Sequence, residues 1–212
     1  MRILITCGPS YEPVDEVRRL TNFSTGELGV LLANRLTQAG HEAICLKGEA
    51  ATYTGACQSQ LVAFSTNDDL LAKLKGFSAQ GDIGAVFHCA ALCDFKVKQV
   101  ATAAGEALTE RKVSSRAGEL VIHLEPASKV ITKLRGLFPR AKLVGWKYEL
   151  DGTKEDALAK GYRQLAENKT DVCIVNGRAI GSGFLWCEPG KDIETVADKI
   201  QLVDFIVKKL AP

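Results

Sequence analysis

The stretch Arg2–Gly29, "RILITCGPSYEPVDEVRRLTNFSTGELG", decides how the rest of the chain is read. "RILIT" is an apolar strand, and "LGVLLANRLTQAG", from Leu28 to Gly40, is an amphipathic helix. A strand and a helix that follow each other this way belong to an α/β unit, where the joining loop usually has roughly 2–6 residues. Here the loop runs from Cys7 to Asn22 and carries Gly8, Pro9, Pro13, Arg18 and Arg19. A long loop with charge and fixed turns, at a strand's carboxyl end, marks a functional segment. It reads here as irregular.

Further along, apolar β runs alternate with amphipathic stretches. Strands are expected at Arg2–Thr6, Glu42–Leu46, Gln60–Phe64, Ile83–Cys89, Glu119–Leu124, Lys142–Trp146 and Asp171–Val175. Helices are expected at Thr25–Ala39, Asn67–Lys75, Ser128–Leu137, Lys154–Glu167 and Thr195–Leu210. "GAVFHCAAL" and "DVCIVN" are almost continuously apolar, as strands buried on both faces of a parallel sheet are. The pattern predicts one α/β domain over 1–212: a three-layer, doubly wound, mostly parallel Rossmann-like sheet. Its ligands belong outside the carboxyl ends of the strands.

The first helix start is specific. Ser24 and Glu27 have Ser-x-x-Glu capping-box spacing. Leu28, Leu31, Leu32, Leu36 and Ala39 fall on one face, and Gly40 stops the helix. The amides of Ser24–Gly26 then open a helix end, where a phosphate group is stabilised by free N–H groups and the helix dipole. Ser24 as a plain cap and Gly26 as a close-packing residue is the competing reading. A second unusual segment, about 94–124, is rich in Lys, Ala, Thr and Gly and contains Lys96, Lys98, Arg111, Lys112 and Arg116. It is read as a flap, with "ELVIHL" as an arm or hairpin.

Composition bounds the function. The chain has 212 residues, 46% hydrophobic and 25% charged, with net charge +2, which argues against a nucleic-acid or membrane surface. No apolar run approaches the roughly 18 residues of a spanning helix, and "MRILITCG" lacks the features of a signal peptide. A cytoplasmic location is expected. The seven cysteines are odd in number and several sit in strand-like runs, so free buried thiols fit better than disulfides. His88, Cys89 and Cys93 have no second ligand pair to close a zinc site. His41 and His123 read as surface residues and His88 as core. The dinucleotide fingerprint G-x-G-x-x-G, which joins strand to helix directly, is missing, so a nicotinamide enzyme is disfavoured.

The opening stretch resembles phosphopantothenoylcysteine synthetase, a ligase family of coenzyme A biosynthesis. The family begins with a strand, then Gly-x-Thr/Ser-x-Glu-Pro-x-Asp-x-Val-Arg, then Asn-x-Ser-Ser/Thr-Gly and a helix. This chain matches at Gly8, Ser10, Glu12, Pro13, Asp15, Val17, Arg18, Asn22, Ser24, Thr25, Gly26 and Gly29. "AALCDF", "VGWKYEL" and "KTDVCIVN" are similar to later family motifs, in order, up to Asn176.

The resemblance implies joining of 4′-phosphopantothenate to cysteine through an acyl-nucleotidylate, with CTP or ATP as co-substrate, Mg²⁺ as metal, and no FMN. It implies Asn22 and Lys112 as catalytic groups. It places Gly8, Ser24, Thr25, Gly26, Ala90, Asp94, Trp146, Lys147, Lys169, Asn176 and Phe184 at the nucleotide, with Asp94 at the metal. Arg18 falls either on the substrate phosphate or on Asp15. A homodimer with exchanged strands is implied, Glu119–Leu124 being the arm, and a separate decarboxylase chain is expected. There are departures. The flap reads "RKVSS", with Ser114 and Ser115 where the family has lysines, and Lys96 and Lys98 remain alternatives to Lys112. Trp146 replaces a Phe and Lys147 a small residue. The other reading is a relative that binds nucleotide or a phosphopantetheine-like ligand without ligation.

Overall fold

The computed structural model describes residues 1–210. Its core strands are β1 (Arg2–Cys7), then β4 (Glu42–Gly48), β5 (Gln60–Phe64), β6 (Ile83–His88), β10 (Lys142–Tyr148) and β11 (Val172–Asn176). These six are parallel, and two antiparallel strands, β12 (Phe184–Cys187) and β13 (Glu194–Val196), extend one edge. The order across the eight-stranded sheet is β13-β12-β11-β10-β6-β1-β4-β5. The chain winds outward from β1 to β5, then returns to lay β6 against the other side of β1. The topological switch point therefore lies between β1 and β6, where open α/β sheets place their ligands.

The strands alternate strictly between two apolar layers. Ile3, Ile5, Ala43, Cys45, Ala85, Phe87 and Val144 face α1 (Glu27–Gln38) and α5 (Lys199–Leu210). Leu4, Ile44, Leu46, Val86 and Leu143 face α2 (Asn67–Gln80) and α3 (Ile131–Leu137). Cys173 and Val175 pack on α4 (Lys154–Asn168). Both faces are buried, so period-2 alternation does not separate apolar from polar residues, and the strands read as continuous apolar runs.

The first helix differs from its expected start. It begins at Glu27, and its N-cap is Gly26 in the left-handed region (φ 78°), without a side-chain cap. Ser24 and Glu27 form no capping box, because the backbone at Gly26 turns away from the extended conformation a capping serine needs. A capping box does form at α4, between Thr153 and Asp156. On α1 the buried face is Gly29, Val30, Leu32, Ala33 and Leu36; Ala39 is exposed. The stop at Gly40 holds, with φ 83°. At the far end, Thr195 and Val196 are strand, and α5 starts after Asp198, whose Oδ1 accepts from the Gln201 amide at 2.8 Å.

The segment between β1 and α1 is not irregular. It contains the hairpin β2 (Tyr11–Pro13) and β3 (Arg19–Thr21), two strands too short to show periodicity. The flap is a separate antiparallel sheet: β7 (Phe95–Thr102) between β8 (Ala107–Leu108) and β9 (Leu120–Pro126). No helix among the described residues is long and apolar enough to cross a membrane.

Gly29 fixes how closely α1 approaches the sheet. A Cβ there would lie 2.1 Å from Cys7 Cβ, inside a layer already packed to interior density. Gly29→Ala is expected to destabilise the fold by roughly 1–3 kcal/mol, read as a lower urea midpoint at unchanged m-value.

Candidate functional site

The exits of β1 and β6 are tied together beyond the sheet. Cys89 N–H donates to Thr6 O at 3.1 Å and Ala91 N–H to Gly8 O at 2.9 Å. Ser10 N–H returns to Ala91 O at 3.3 Å, and the fully buried Ser10 accepts the Cys93 amide at 2.8 Å through Oγ. Thr21 Oγ1 donates to Ser10 O at 2.7 Å, so the hairpin is anchored to the same seam.

Two clefts flank this seam. The first, about 370 Å³, lies on the α1 and α5 side. Gly8, Ser24, Thr25, Gly26, Ala90, Trp146, Asn176 and Phe184 all line it, as the sequence expectation grouped them. Its other walls include Phe23, Tyr148, Cys89 and Lys199. The second, about 230 Å³, lies on the α2 and α3 side and is lined by Asp94, Lys147, Asn67, His88, Lys129 and Gln164 among others. Ala90 and Trp146 belong to both, so the two clefts form one trough over the ends of β6 and β10.

Glycines make the first cleft possible. Gly8 (φ 75°) and Gly26 (φ 78°) both pack on Ala51, where added Cβ atoms would come to 2.7 and 3.1 Å of its Cβ. Tyr53 N–H holds Thr25 O at 2.9 Å, fixing the loop that enters α1. First-turn amides of a helix lack intrahelical partners. The Glu27 amide is met by Thr25 Oγ1 at 3.2 Å, while Leu28 and Gly29 line the cleft. Glu27 is ion-paired with Lys199 from the start of α5.

Other expected residues stand apart. Asn22 lines neither cleft; its Nδ2 donates to Leu92 O at 2.9 Å, at the edge of the trough. Arg18 is committed to structure. Its Nε and Nη2 meet Asp15 Oδ2 at 3.0 and 2.5 Å, and Nη2 also donates to Val113 O. Of its two candidate roles, the structure displays the pairing with Asp15. Asp15 also accepts the amides of Val17, Arg18 and Val113. The Arg18 guanidinium holds its carboxyl well below the usual range, and burial opposes this only in part. Arg111 pairs with Glu16 at 2.5 Å. The flap is thus clamped to the hairpin tip through Arg111 and the buried Val113, with Lys112 exposed between them. Lys96 is engaged with Glu125 at 3.3 Å. Lys169 is a correction. It caps the end of α4 in a left-handed conformation (φ 52°), before β11, and so sits at the amino end of a parallel strand, opposite the trough.

His88 is 7% exposed and shares a 2.8 Å hydrogen bond with Thr6 through Nδ1; burial pushes its pKa down to about 4. It is neutral at pH 7. Burial raises the thiols of Cys89 and Cys93, and the Cys173 thiol to about 12, so these groups stay protonated and poorly nucleophilic. Among the described residues no three His, Cys, Asp or Glu side chains converge on a metal position.

Sequence reasoning missed Phe23, fully exposed on the cleft wall, and Lys199, Lys129 and Asn67. Phe23 carried a signal, an aromatic in a polar loop. The other three come from distant helices and turns, and only the fold brings them to the trough.

Residues 1–188 match the family described as DNA/pantothenate metabolism flavoprotein, C-terminal domain. The chain belongs to this family. It is 27% identical over 183 residues to the coenzyme A biosynthesis bifunctional protein CoaBC of Thermococcus kodakarensis, covering 85% of this chain and 42% of that protein. The chain therefore spans less than half the length of that curated relative. The solved DNA/pantothenate metabolism flavoprotein of Streptococcus pneumoniae superposes with a TM-score of 0.86 at 24% identity, over 99% of this chain and 98% of that one. A Cab2 mutant in complex with phosphopantothenate-cysteine superposes with a TM-score of 0.72 at 18% identity, over 98% and 86%. These two likenesses establish the fold.

Two outcomes are expected from this site. The unfolded chain binds a proton at His88 below about pH 6.5 and the folded chain only near pH 4. Stability should therefore fall as pH drops through that window, by up to about 3 kcal/mol, and His88→Asn should flatten the loss. Urea unfolding across pH 4–7 checks this; the Asp15 carboxylate adds its own loss below about pH 3.8, where the unfolded chain takes up its proton and the folded chain does not. Separately, Asp15→Asn should free the flap, seen as several-fold faster hydrogen exchange at Val113 and quicker trypsin cleavage after Arg111 and Lys112.

Proposed function

We propose that this chain joins 4′-phosphopantothenate to cysteine through an acyl-nucleotidylate, with CTP as co-substrate, in the cytoplasm. The observation that carries this reading is the trough: two clefts that meet at Ala90 and Trp146, at the switch point of the sheet, with a helix end opening into the larger one. Two adjoining clefts give a nucleotide and an acyl substrate room to meet, and membership of the family supplies the substrate class.

In the first half-reaction a carboxylate oxygen of phosphopantothenate attacks the α-phosphorus. The bond from that phosphorus to its bridging oxygen breaks, and pyrophosphate leaves with the electron pair. In the second, the cysteine amine attacks the acyl carbon, loses its proton, and the nucleoside monophosphate departs. Such chemistry is mostly positioning and charge stabilisation. Ser24, Thr25 and Gly26 with the first-turn amides of α1 receive phosphate oxygens. Trp146 and Phe184 offer faces to the base, with Gly8, Ala90 and Asn176 shaping the cleft. Asn22, fixed on Leu92 O, is assigned to conversion of the acyl-nucleotidylate, and Lys112 to the leaving pyrophosphate.

Mg²⁺ fits the second cleft. Asp94 presents an exposed carboxylate there, and Asn67 Oδ1 is buried in its wall without a partner. One carboxylate with waters and substrate phosphates is the usual provision for this ion, which would neutralise phosphate charge. No group in this reading calls for FMN. We read the active form as a homodimer, because the arm exposes Phe95, Val121 and Leu124.

Purified protein given phosphopantothenate, Mg²⁺ and CTP or ATP in turn should release pyrophosphate, with cysteine-dependent turnover. Asn22→Asp and Lys112→Gln should each lower turnover by about 10²–10³-fold, the scale of losing one transition-state contact. Absence of release with either triphosphate, while CTP still binds, would leave a binding relative that has lost ligation.

A further inference from the structure

Between residues 111 and 115 of the flap, Ser114 and Ser115 are neutral and Arg111 is held by Glu16, which leaves Lys112 as the free cation of that stretch; Lys98 and Arg116 stand elsewhere on the flap, exposed and in no ion pair among the described residues. The second cleft is lined by two lysines, Lys129 and Lys147, and one carboxylate, Asp94. Lys129, in the turn between β9 and α3, is exposed on its rim and enters no ion pair among the described residues. Lys147 lies 3.1 Å from Glu149, but the other oxygen of that carboxylate is taken by Lys160. One buried carboxylate shared by two lysines leaves a net charge of +1. Burial pushes the Glu149 carboxyl up, yet the two lysines outweigh it and its pKa is lowered, so the carboxylate stays ionised. At about 230 Å³ the cleft is below the usual 300–1,000 Å³ of a site for a whole cofactor, and suits a fragment of one.

We infer that the second cleft receives the two outer phosphates of the nucleoside triphosphate, and that Lys129 and Lys147 there stabilise the departing pyrophosphate. The inference rests on the ligase reading. With the nucleoside in the first cleft and its α-phosphate at the Ser24–Gly26 helix end, the phosphate chain crosses at Ala90 and Trp146 and the β- and γ-phosphates enter the second. When the bond from the α-phosphorus breaks, negative charge grows on the oxygen that stays with the β-phosphate. A fixed cation beside that oxygen lowers the barrier, and Lys129 and Lys147 act there together with the flap's Lys112.

The test uses the whole chain and three probes: CTP, CMP and inorganic pyrophosphate. Binding is read by calorimetry, and pyrophosphate also as a product inhibitor of the release assay. Lys129→Ala and Lys147→Ala should each weaken CTP and pyrophosphate about tenfold and leave CMP unchanged, one charge-assisted contact being lost in each. Lys133→Ala, on the exposed side of α3, should change none of the three and controls for net charge. Equal loss for CTP and CMP, or no loss for pyrophosphate in either variant, would overturn the assignment. Unchanged turnover in both variants, with wild-type release intact, sinks the inference and keeps the ligase. Lysine-dependent pyrophosphate binding without release from CTP or ATP keeps the anion site and sinks the ligase. Because both side chains point from the surface, folding is checked by the melting midpoint, and Lys147→Gln replaces Lys147→Ala if the latter melts early.

Discussion

The seam between the ends of β1 and β6 is the constraint on which the trough depends. Two parallel strands normally part once the sheet ends, because their helices leave in opposite directions. Here the ladder continues past the sheet: Thr6, Gly8 and Ser10 exchange hydrogen bonds with Cys89, Ala91 and Cys93. The continuation holds the Ala90 backbone between the clefts as a shared wall. It also explains why Ser10 is fully buried in a loop, since its Oγ closes the last rung. Left-handed Gly8 lets the chain turn off β1 without leaving the partner strand. Each rung satisfies amides that would otherwise be buried unpaired at a cost of about 1–3 kcal/mol. The architecture at this point is therefore stiff, and the ligand-facing groups stand on it.

The second constraint is electrostatic. Asp15 accepts three amides and the Arg18 guanidinium at the tip of the β2–β3 hairpin, and one of those amides belongs to the flap. A single carboxylate thus couples the loop after β1 to a segment almost a hundred residues away in sequence. Of the two roles the sequence leaves open for Arg18, substrate phosphate or Asp15, the structure displays the pairing with Asp15, within a clamp between hairpin and flap. Glu149 acts similarly between Lys147 and Lys160. Asp15 is matched one to one by Arg18, whereas Glu149 orders two lysines and cancels one charge of the two.

Much of the core was legible because six parallel strands, buried on both sides, must be continuous apolar runs. "RILIT", "EAICL" and "VCIV" could be nothing else at that length. The helix-end wall of the first cleft was legible too, since Gly8, Ser24, Thr25 and Gly26 lie within one short stretch. The hairpin was not, because a three-residue strand holds less than two periods. The capping box misled for a physical reason: Ser-x-x-Glu spacing states what the side chains can do, and Gly26 in the left-handed region decides that they do not. Lys169 misled differently. Its place beside "TDVCIVN" puts it on the right strand connection but at the amino end of β11, and a parallel strand separates its two ends by its whole length.

What sequence proximity could not supply was charge balance across the trough. Lys129, Lys147 and Lys199 come from a turn, a strand end and the last helix, and each meets the trough on a different side. Lys199 is neutralised by Glu27, so the mouth of the first cleft gains little from it. Lys147 keeps half of a shared carboxylate, and Lys129 has none. The field therefore rises from the α1 side toward the second cleft, in the direction in which a polyphosphate carries most of its charge. That gradient is made by Lys129 in the turn before α3 and by Lys147 near the end of β10, the latter ordered by Glu149.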